Sequence, residues 1–185
     1  MMHNDMRASE EAKLCQNVFD GECSPTFALP KILWMQKNLS LPDNTLFLHS
    51  SDFLFAWLAG TVEIPTDFTN AMKTGVDLEC ESWRQHEIID SLHLPKIIPP
   101  GQSFDVVCKS HQRKWGINQK IILVSGATDS NAAFYASGAC KLGDWASTIG
   151  TTLAVKGLSA ERITDKEGRI YCHKHPDGIW LPGGA

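Results

Sequence analysis

Asp129 is the residue of this chain whose type and position best suit chemistry. The sequence around it predicts a short buried strand over residues 120–125, a turn at residues 126–129 and a helix over residues 130–137. An aspartate at the carboxyl end of such a strand stands where open α/β sheets bind ligands, and it could accept a proton from a substrate hydroxyl. Position alone favours a simpler role, in which Asp129 or Thr128 caps the helix.

A second segment that could bind a ligand is the turn at residues 147–152, which contains Gly150, Thr151 and Thr152. A tight turn between two strands can direct backbone N–H groups and threonine hydroxyls at an anion such as a nucleotide phosphate. Polar turns that contain glycine are also common in ordinary hairpins. The segment is not a Walker loop, because no Gly-Lys-Ser/Thr follows it.

The cysteine and histidine pattern does not predict a metal site. Cys172, His173 and His175 could supply two or three ligands, but no second cluster completes a tetrahedral site. A polar strand end or turn is therefore the expected role of this segment. The six cysteines are scattered, so we expect them to be reduced and partly buried.

Four helices are expected in the first half of the chain, over residues 9–19, 31–38, 52–59 and 83–92. Ser9 is expected to cap the first helix, and Ser50 or Ser51 the third. In the third helix an apolar stripe of Phe53, Leu54, Trp57 and Leu58 is expected to face a core. Residues 62–78 are less periodic, residues 99–101 predict a turn, and residues 144–158 predict two strands joined by a tight turn.

Composition excludes several functional classes. The chain has 185 residues, with 17 Lys+Arg against 21 Asp+Glu and a net charge of −4, and it has no basic run of the kind that nucleic-acid binding requires. No apolar stretch approaches the roughly 20 residues that span a bilayer, and the amino terminus is polar. We therefore expect a cytoplasmic protein with no nucleic-acid or membrane partner.

Seven short motifs follow one another in a characteristic order. They are NDMRA at 4–8, PKILWM at 30–35, DFL…LAG at 52–60, TDFTNA…TG at 66–75, GATDSNAA at 126–133, STIGTT at 147–152 and WLPGGA at 180–185. In this order the chain resembles the FGGY carbohydrate kinase family, and within it the xylulokinase and ribulokinase-like members.

The resemblance implies an α/β fold, a partial ribonuclease-H-like (actin-like ATPase) fold with residues 1–138 from the end of the first domain and 139–185 from the start of the second. It implies ATP and Mg²⁺ as cofactors and a sugar substrate, a ketopentose such as D-ribulose or D-xylulose. Asp129 matches the family's catalytic base and would also contact the sugar. The resemblance further assigns sugar binding to Asn4, Asp5 and Arg7, and nucleotide binding to Gly150, Thr151, Thr152, Gly183 and Gly184.

The chain also departs from the family pattern, since the phosphate loop that opens the first domain and most of the second domain have no counterpart here. The expectation is therefore a central piece of a kinase that associates with itself or with a missing piece. Two alternatives stay open. The chain could be a catalytically inactive interaction module, or a related ATPase that acts on a non-sugar acceptor.

Overall fold

The computed structural model describes residues 1–2, 4–19, 23–150, 153–165 and 169–184. The chain divides into two compact units, Met1–Ser125 and Gly126–Ala185. The boundary between the two compact units, after Ser125, lies earlier in the chain than the domain boundary predicted after residue 138. A compact unit need not coincide with a domain of the family, so the predicted boundary stays a prediction.

The first unit consists of helices and short strand pairs packed on a small core of Cys15, Val18, Leu29 and Ile89. Its helices are α1 Ser9–Leu14, α2 Ala28–Asn38, α3 Ser50–Ala59, α4 Phe68–Ala71, α5 Glu87–Asp90 and α6 Lys109–Lys114, with single 3₁₀ turns at Gln16–Val18 and Met72–Thr74. Its strands are β1 Thr66–Asp67, β2 Val76–Asp77, β3 Ser82–Trp83, β4 Ile97–Ile98, β5 Ser103–Val106 and β6 Ile122–Val124. The pair β1–β4 is parallel, and the pairs β2–β3 and β5–β6 are antiparallel.

Three of the four expected helices form, with different ends. α1 is shorter than predicted, and Ser9 is its first residue instead of its cap, because the Ser9 hydroxyl donates to the Met6 carbonyl at 2.7 Å. The residue before α3 is His49, not a serine. The helix expected over residues 83–92 was wrong in extent: only Glu87–Asp90 is helical, and Trp83 lies in a strand where its indole N–H donates to the Pro95 carbonyl at 2.8 Å.

The expected burial of the α3 stripe is wrong. Phe53 is 64% exposed, and Leu54 and Trp57 are also exposed, whereas Asp52 and Ala56 are buried. The buried face of α3 is selected by Asp52, whose carboxylate accepts from the His49 backbone N–H at 3.0 Å. A buried polar contact thus turns the apolar stripe to the surface of its unit.

The strand before Asp129 is present but is not a buried strand. Among the described strands β6 pairs only with β5, and Ile122 and Val124 are 55% and 43% exposed while Leu123 is buried. A run of four apolar residues does not reveal whether one face or both faces will be covered. The turn at residues 99–101 forms as expected, with Gly101 at φ +85°.

The described residues of the second unit form one helix and one sheet. It contains α7 Asp129–Ala136 and the strands β7 Trp145–Ile149, β8 Leu153–Gly157, β9 Tyr171–Lys174 and β10 Trp180–Gly184. The strands form an antiparallel sheet in the order β7-β8-β10-β9. Phe134, Leu158 and Leu181 form its core. The two paired strands predicted within residues 144–158 and the helix predicted over residues 130–137 are confirmed, the helix as Asp129–Ala136. Residues 151 and 152 of the predicted turn between the strands lie outside the described residues.

Candidate functional site

Asp129 is the first residue of α7, and its side chain is exposed. Thr128 precedes the helix in extended conformation and makes no side-chain cap. One Asp129 carboxylate oxygen accepts from the adjacent Ser130 N–H at 2.7 Å. The carboxylate therefore begins the helix and remains open on the surface of its unit, where a hydroxyl group can approach it.

Lys156 brings a positive charge to the first turn of α7. Its ammonium group donates to the Ser130 hydroxyl at 3.3 Å and to the Asn131 side-chain carbonyl. Asn131 is fully buried, and its amide lies 3.2 Å from Nδ1 of His173 on β9. Burial lowers the pKa of Lys156 from 10.5 to about 8, while the charge of Asp129 acts in the opposite direction.

Sequence reasoning did not select Lys156. It stands in an otherwise apolar strand, LAVKG, and a single charge inside such a run is the only local signal it gives. Its partners Ser130 and Asn131 lie 26 and 25 residues earlier in the chain. Local sequence patterns extend over far fewer residues, so they do not reveal this contact.

The predicted nucleotide-binding glycines occupy two different environments. Gly150 is exposed after the end of β7, and a side chain there would meet no atom of the described residues within 4 Å. Gly183 and Gly184 lie in β10, where a Cβ would come within 2.8 Å of the Val155 carbonyl oxygen and 2.9 Å of the Arg169 carbonyl oxygen. Close strand packing therefore requires these two glycines. Thr151 and Thr152 lie outside the described residues, and the nucleotide role of all five residues stays a prediction.

An apolar groove of about 290 Å³ borders the same two glycines. Trp145, Leu153, Ile163 and Ile170 are among the residues that line it. None of the described residues that line the groove carries a charge, so these side chains offer nothing to balance a phosphate.

The predicted sugar-binding residues lie at the start of the first unit. The Arg7 guanidinium donates from Nη2 to Asp5 at 2.6 Å and from Nε to both carboxylate oxygens at 3.1 Å, and it lies 4.7 Å from the centre of the Trp34 ring. These hydrogen bonds from Arg7 lower the pKa of Asp5 to about 2. Asn4 is exposed in the preceding turn. Asp5 and Arg7 form one ion pair, and their contact with sugar stays a prediction.

A buried polar network in the first unit was also missed from sequence. His49 Nδ1 lies 2.9 Å from Asp52 and 3.1 Å from the Thr66 hydroxyl, and Nε2 lies 2.9 Å from the Thr74 hydroxyl. Asp52, Thr66 and Thr74 are almost completely buried. Because the network joins α3, β1 and a 3₁₀ turn, its role is to hold these elements together.

Asp67 is the second residue of the segment TDFTNA and caps α4. Its carboxylate accepts from the backbone N–H groups of Thr69 and Asn70 at 2.9 and 3.0 Å and from the Asn70 amide at 2.6 Å. Local turn chemistry therefore accounts for this motif.

The described residues contain neither a cluster of metal ligands nor a membrane-spanning helix. No group of three His, Cys, Asp or Glu side chains is placed to hold a metal ion in the part of the chain that the structure describes. Cys172 and His173 lie in β9, and the six cysteines are free thiols. No helix within the described ranges is long and apolar enough to cross a membrane.

Comparison with known proteins places these features in a family. Residues 4–135 match the model of the FGGY family of carbohydrate kinases, N-terminal domain. The chain is 27% identical over 167 residues to a gluconokinase from Bacillus subtilis, with 86% of this chain and 32% of that protein covered. It is 25% identical over 194 residues to a xylulose kinase from Lactococcus lactis, with 95% of this chain and 37% of that protein covered.

A solved structure agrees on the fold. The crystal structure of Plasmodium falciparum glycerol kinase with ADP superposes with a TM-score of 0.81 at 18% identity, over 100% of this chain and 41% of the other. The chain spans about a third of the length of the curated relatives it matches. Because the matched model covers well over half of the residues and includes Asp129, the chain belongs to the FGGY family of carbohydrate kinases.

Proposed function

We propose that this protein takes part in the ATP-dependent phosphorylation of a carbohydrate hydroxyl, with Asp129 as the general base. The observation that carries the proposal is the exposed carboxylate at the start of α7, within the residues that match the family's N-terminal domain. Lys156 lies beside it, so the candidate centre contains one acid and one cation.

In the proposed reaction the substrate hydroxyl oxygen attacks the γ-phosphorus of ATP, and the bond to the bridging oxygen of ADP breaks. Asp129 accepts the hydroxyl proton. The transition state of phosphoryl transfer is loose, so orientation of the hydroxyl contributes more than early removal of its proton. ATP as the donor is supported by family membership and by the ADP in the related glycerol kinase.

The nucleotide would arrive with Mg²⁺ on its phosphates. Gly150 fits a phosphate-facing role, since it is exposed and no described atom would crowd a side chain at this position. Gly183 and Gly184 give weaker support for such a role, because the close packing of β10 against neighbouring backbone already explains why these two positions are glycine.

A ketopentose is the first proposed substrate and gluconate the second. The ketopentose rests on the motif order and on the xylulose kinase among the relatives. Gluconate is favoured by the gluconokinases of two Bacillus species that the chain resembles at 27% and 28% identity. Both substrates offer a hydroxyl to the same base, so the choice between them does not change the chemistry proposed for Asp129.

The test is sugar-dependent release of ADP by the purified 185-residue chain, with D-xylulose, D-ribulose, gluconate and glycerol as acceptors. If this protein is active, its Asp129→Asn variant should have a kcat lowered by about 10²–10⁴-fold with little change in KM, because general-base catalysis contributes about that much. Asp43→Asn, at an exposed turn, is the matched control and should retain activity. Near-normal turnover of Asp129→Asn would remove Asp129 from the mechanism.

The competing proposal is that the chain binds partners or substrate without catalysing the reaction. Its support is the small share of the relatives' length that the chain spans. Sugar-dependent ADP release above background would exclude it. Absence of ADP release for every acceptor, together with measurable sugar binding, would favour it.

A further inference from the structure

We propose that Lys156 is the positioning residue of the candidate centre: its ammonium group holds Ser130 and Asn131, and thereby the first turn of α7 that carries Asp129. The proposal deepens the proposed function and rests on it for the catalytic consequence. The contacts that carry it all lie within the second unit, and they connect side chains of α7 to the middle of the sheet.

The location of Lys156 in the sheet is fixed from both sides. In β8 it pairs with Ala146 of β7 and with Gly183 of β10. A Cβ at Gly183 would lie 3.2 Å from the Lys156 Cβ, so the glycine leaves room for the lysine stem. Its Nζ is therefore presented to α7 by a strand that has neighbours on both edges, which suits a group that must hold another in place.

The ammonium group occupies an unusual electrostatic position. Cations are ordinarily favourable at the carboxyl end of a helix, whereas Lys156 contacts the amino-terminal turn, where the helix dipole is positive. Among the described residues, the titratable groups that face it are Asp129 on α7 and, through Asn131, the imidazole of His173 on β9. The neighbouring strands β7 and β10 place Ala146 and Gly183 opposite it. The negative charge of Asp129 partly offsets this unfavourable position, because it raises the pKa of Lys156 against the effect of burial.

Asn131 makes the arrangement specific. It is fully buried, receives the Lys156 ammonium on its carbonyl oxygen, and places its amide 3.2 Å from His173. A buried amide is costly unless both of its ends have partners, so removal of the lysine would leave the Asn131 oxygen without this donor. The first turn of α7 would then lose the contact that ties it to β8.

The catalytic consequence is a loss of orientation at Asp129. Misplacement of a catalytic group by about 1 Å can cost about 10²-fold in rate. Lys156→Met, which keeps the stem and removes the charge, should therefore lower kcat about tenfold or more while KM for ATP changes little. Lys156→Arg keeps the charge and should retain more of the rate than Lys156→Met.

The pH profile separates this role from a purely structural one. Burial places the pKa of Lys156 at about 8, so turnover should fall as the ammonium is lost above that pH. In Lys156→Arg the guanidinium stays charged, and the alkaline fall should move upward by more than about one pH unit. In Lys156→Met the rate should already be low, and it should show no further decrease at alkaline pH that follows the titration of residue 156.

A second measurement does not require activity. In the 185-residue chain, nuclear magnetic resonance of the lysine side chains should show one group that titrates near pH 8, and the amide signals of Ser130 and Asn131 should shift with the same midpoint. Asp129→Asn should lower that midpoint, because the Asp129 charge raises the pKa of Lys156. Lys120→Met, at an exposed site, is the control and should leave these signals unchanged.

The two proposals fail in different ways. If no acceptor supports ADP release, the proposed function fails for this chain, and the titration still decides the role of Lys156. An ordinary lysine midpoint near 10.5 that Asp129→Asn does not move would overturn the positioning role. So would equal kcat values for Lys156→Met and the Lys120→Met control in an active protein.

Discussion

Asp5 and Arg7 show how two residues within one turn can create a strongly stabilised charge. The backbone N–H of Arg7 donates to Asp5 at 3.0 Å, and the guanidinium adds further hydrogen bonds from Nε and Nη2. Two donors of one guanidinium match the two oxygens of a carboxylate, which is the strongest geometry for such a pair. The pair is therefore preformed, and any sugar contact it makes would be with atoms already fixed in position.

The pair gives a prediction for acidic pH. Because the pKa of Asp5 is lowered from 3.8 to about 2, its contribution to stability is complete above about pH 3.8 and is lost as the pH falls through about 2. Arg7→Met should raise the pKa of Asp5 toward 3.8, although the backbone hydrogen bond from residue 7 can still lower it. Titration of the carboxyl carbon signals by nuclear magnetic resonance measures this change.

The control for this titration is Arg113→Met in α6. Arg113 is exposed, so its loss should leave the midpoint of Asp5 unchanged. An Asp5 midpoint that stays near 2 in Arg7→Met would show that the guanidinium is not the main cause of the shift.

At the scale of elements, local pattern predicted which segments form structure better than which faces they bury. The strand and the helix around Asp129 and the paired strands within residues 144–158 form because runs of β-branched residues favour strands locally. The exposed faces of α3 and β6 were not predictable in this way, since burial depends on partners distant in sequence. The contact of Lys156 with Asn131 was missed for the same reason.

The hairpin of β7 and β8 offers a prediction at this scale. Trp145 stands opposite Gly157, and a Cβ on Gly157 would overlap the Trp145 indole ring. Gly157→Ala should therefore displace the ring and destabilise the second unit. Because Trp145 is 56% exposed and its ring can move toward solvent, we expect a loss of about 1 kcal/mol, the lower end of the cost of overpacking. Urea denaturation, followed by tryptophan fluorescence, measures the loss.

Gly126→Ala is the matched control for the hairpin variant. A side chain at Gly126 would meet nothing within 4 Å, and its φ is not in the left-handed region. An alanine there should be neutral or stabilise by up to about 1 kcal/mol, because it reduces the freedom of the unfolded chain. Equal stabilities of the two variants would show that the Trp145 contact does not constrain Gly157.

At the scale of the whole molecule, apolar side chains remain uncovered in both units. In the first unit Phe53, Leu54 and Trp57 follow one side of α3. In the second unit Ile149 is 85% exposed, and its cross-strand partner Leu153 lines the apolar groove with Trp145. Uncovered apolar faces of this kind favour association, because covering them removes apolar area from water.

We therefore predict that the 185-residue chain self-associates through the groove side of β7 and β8. A lysine at Leu153 would place a charge where association removes water, so Leu153→Lys should weaken self-association about tenfold, or about 1.4 kcal/mol. Leu14→Lys in α1 is the control, since Leu14 is exposed but lies outside the groove. Sedimentation velocity over a wide range of protein concentration measures the effect. A monomer at every concentration, or an equal effect of Leu14→Lys, would contradict association through this surface.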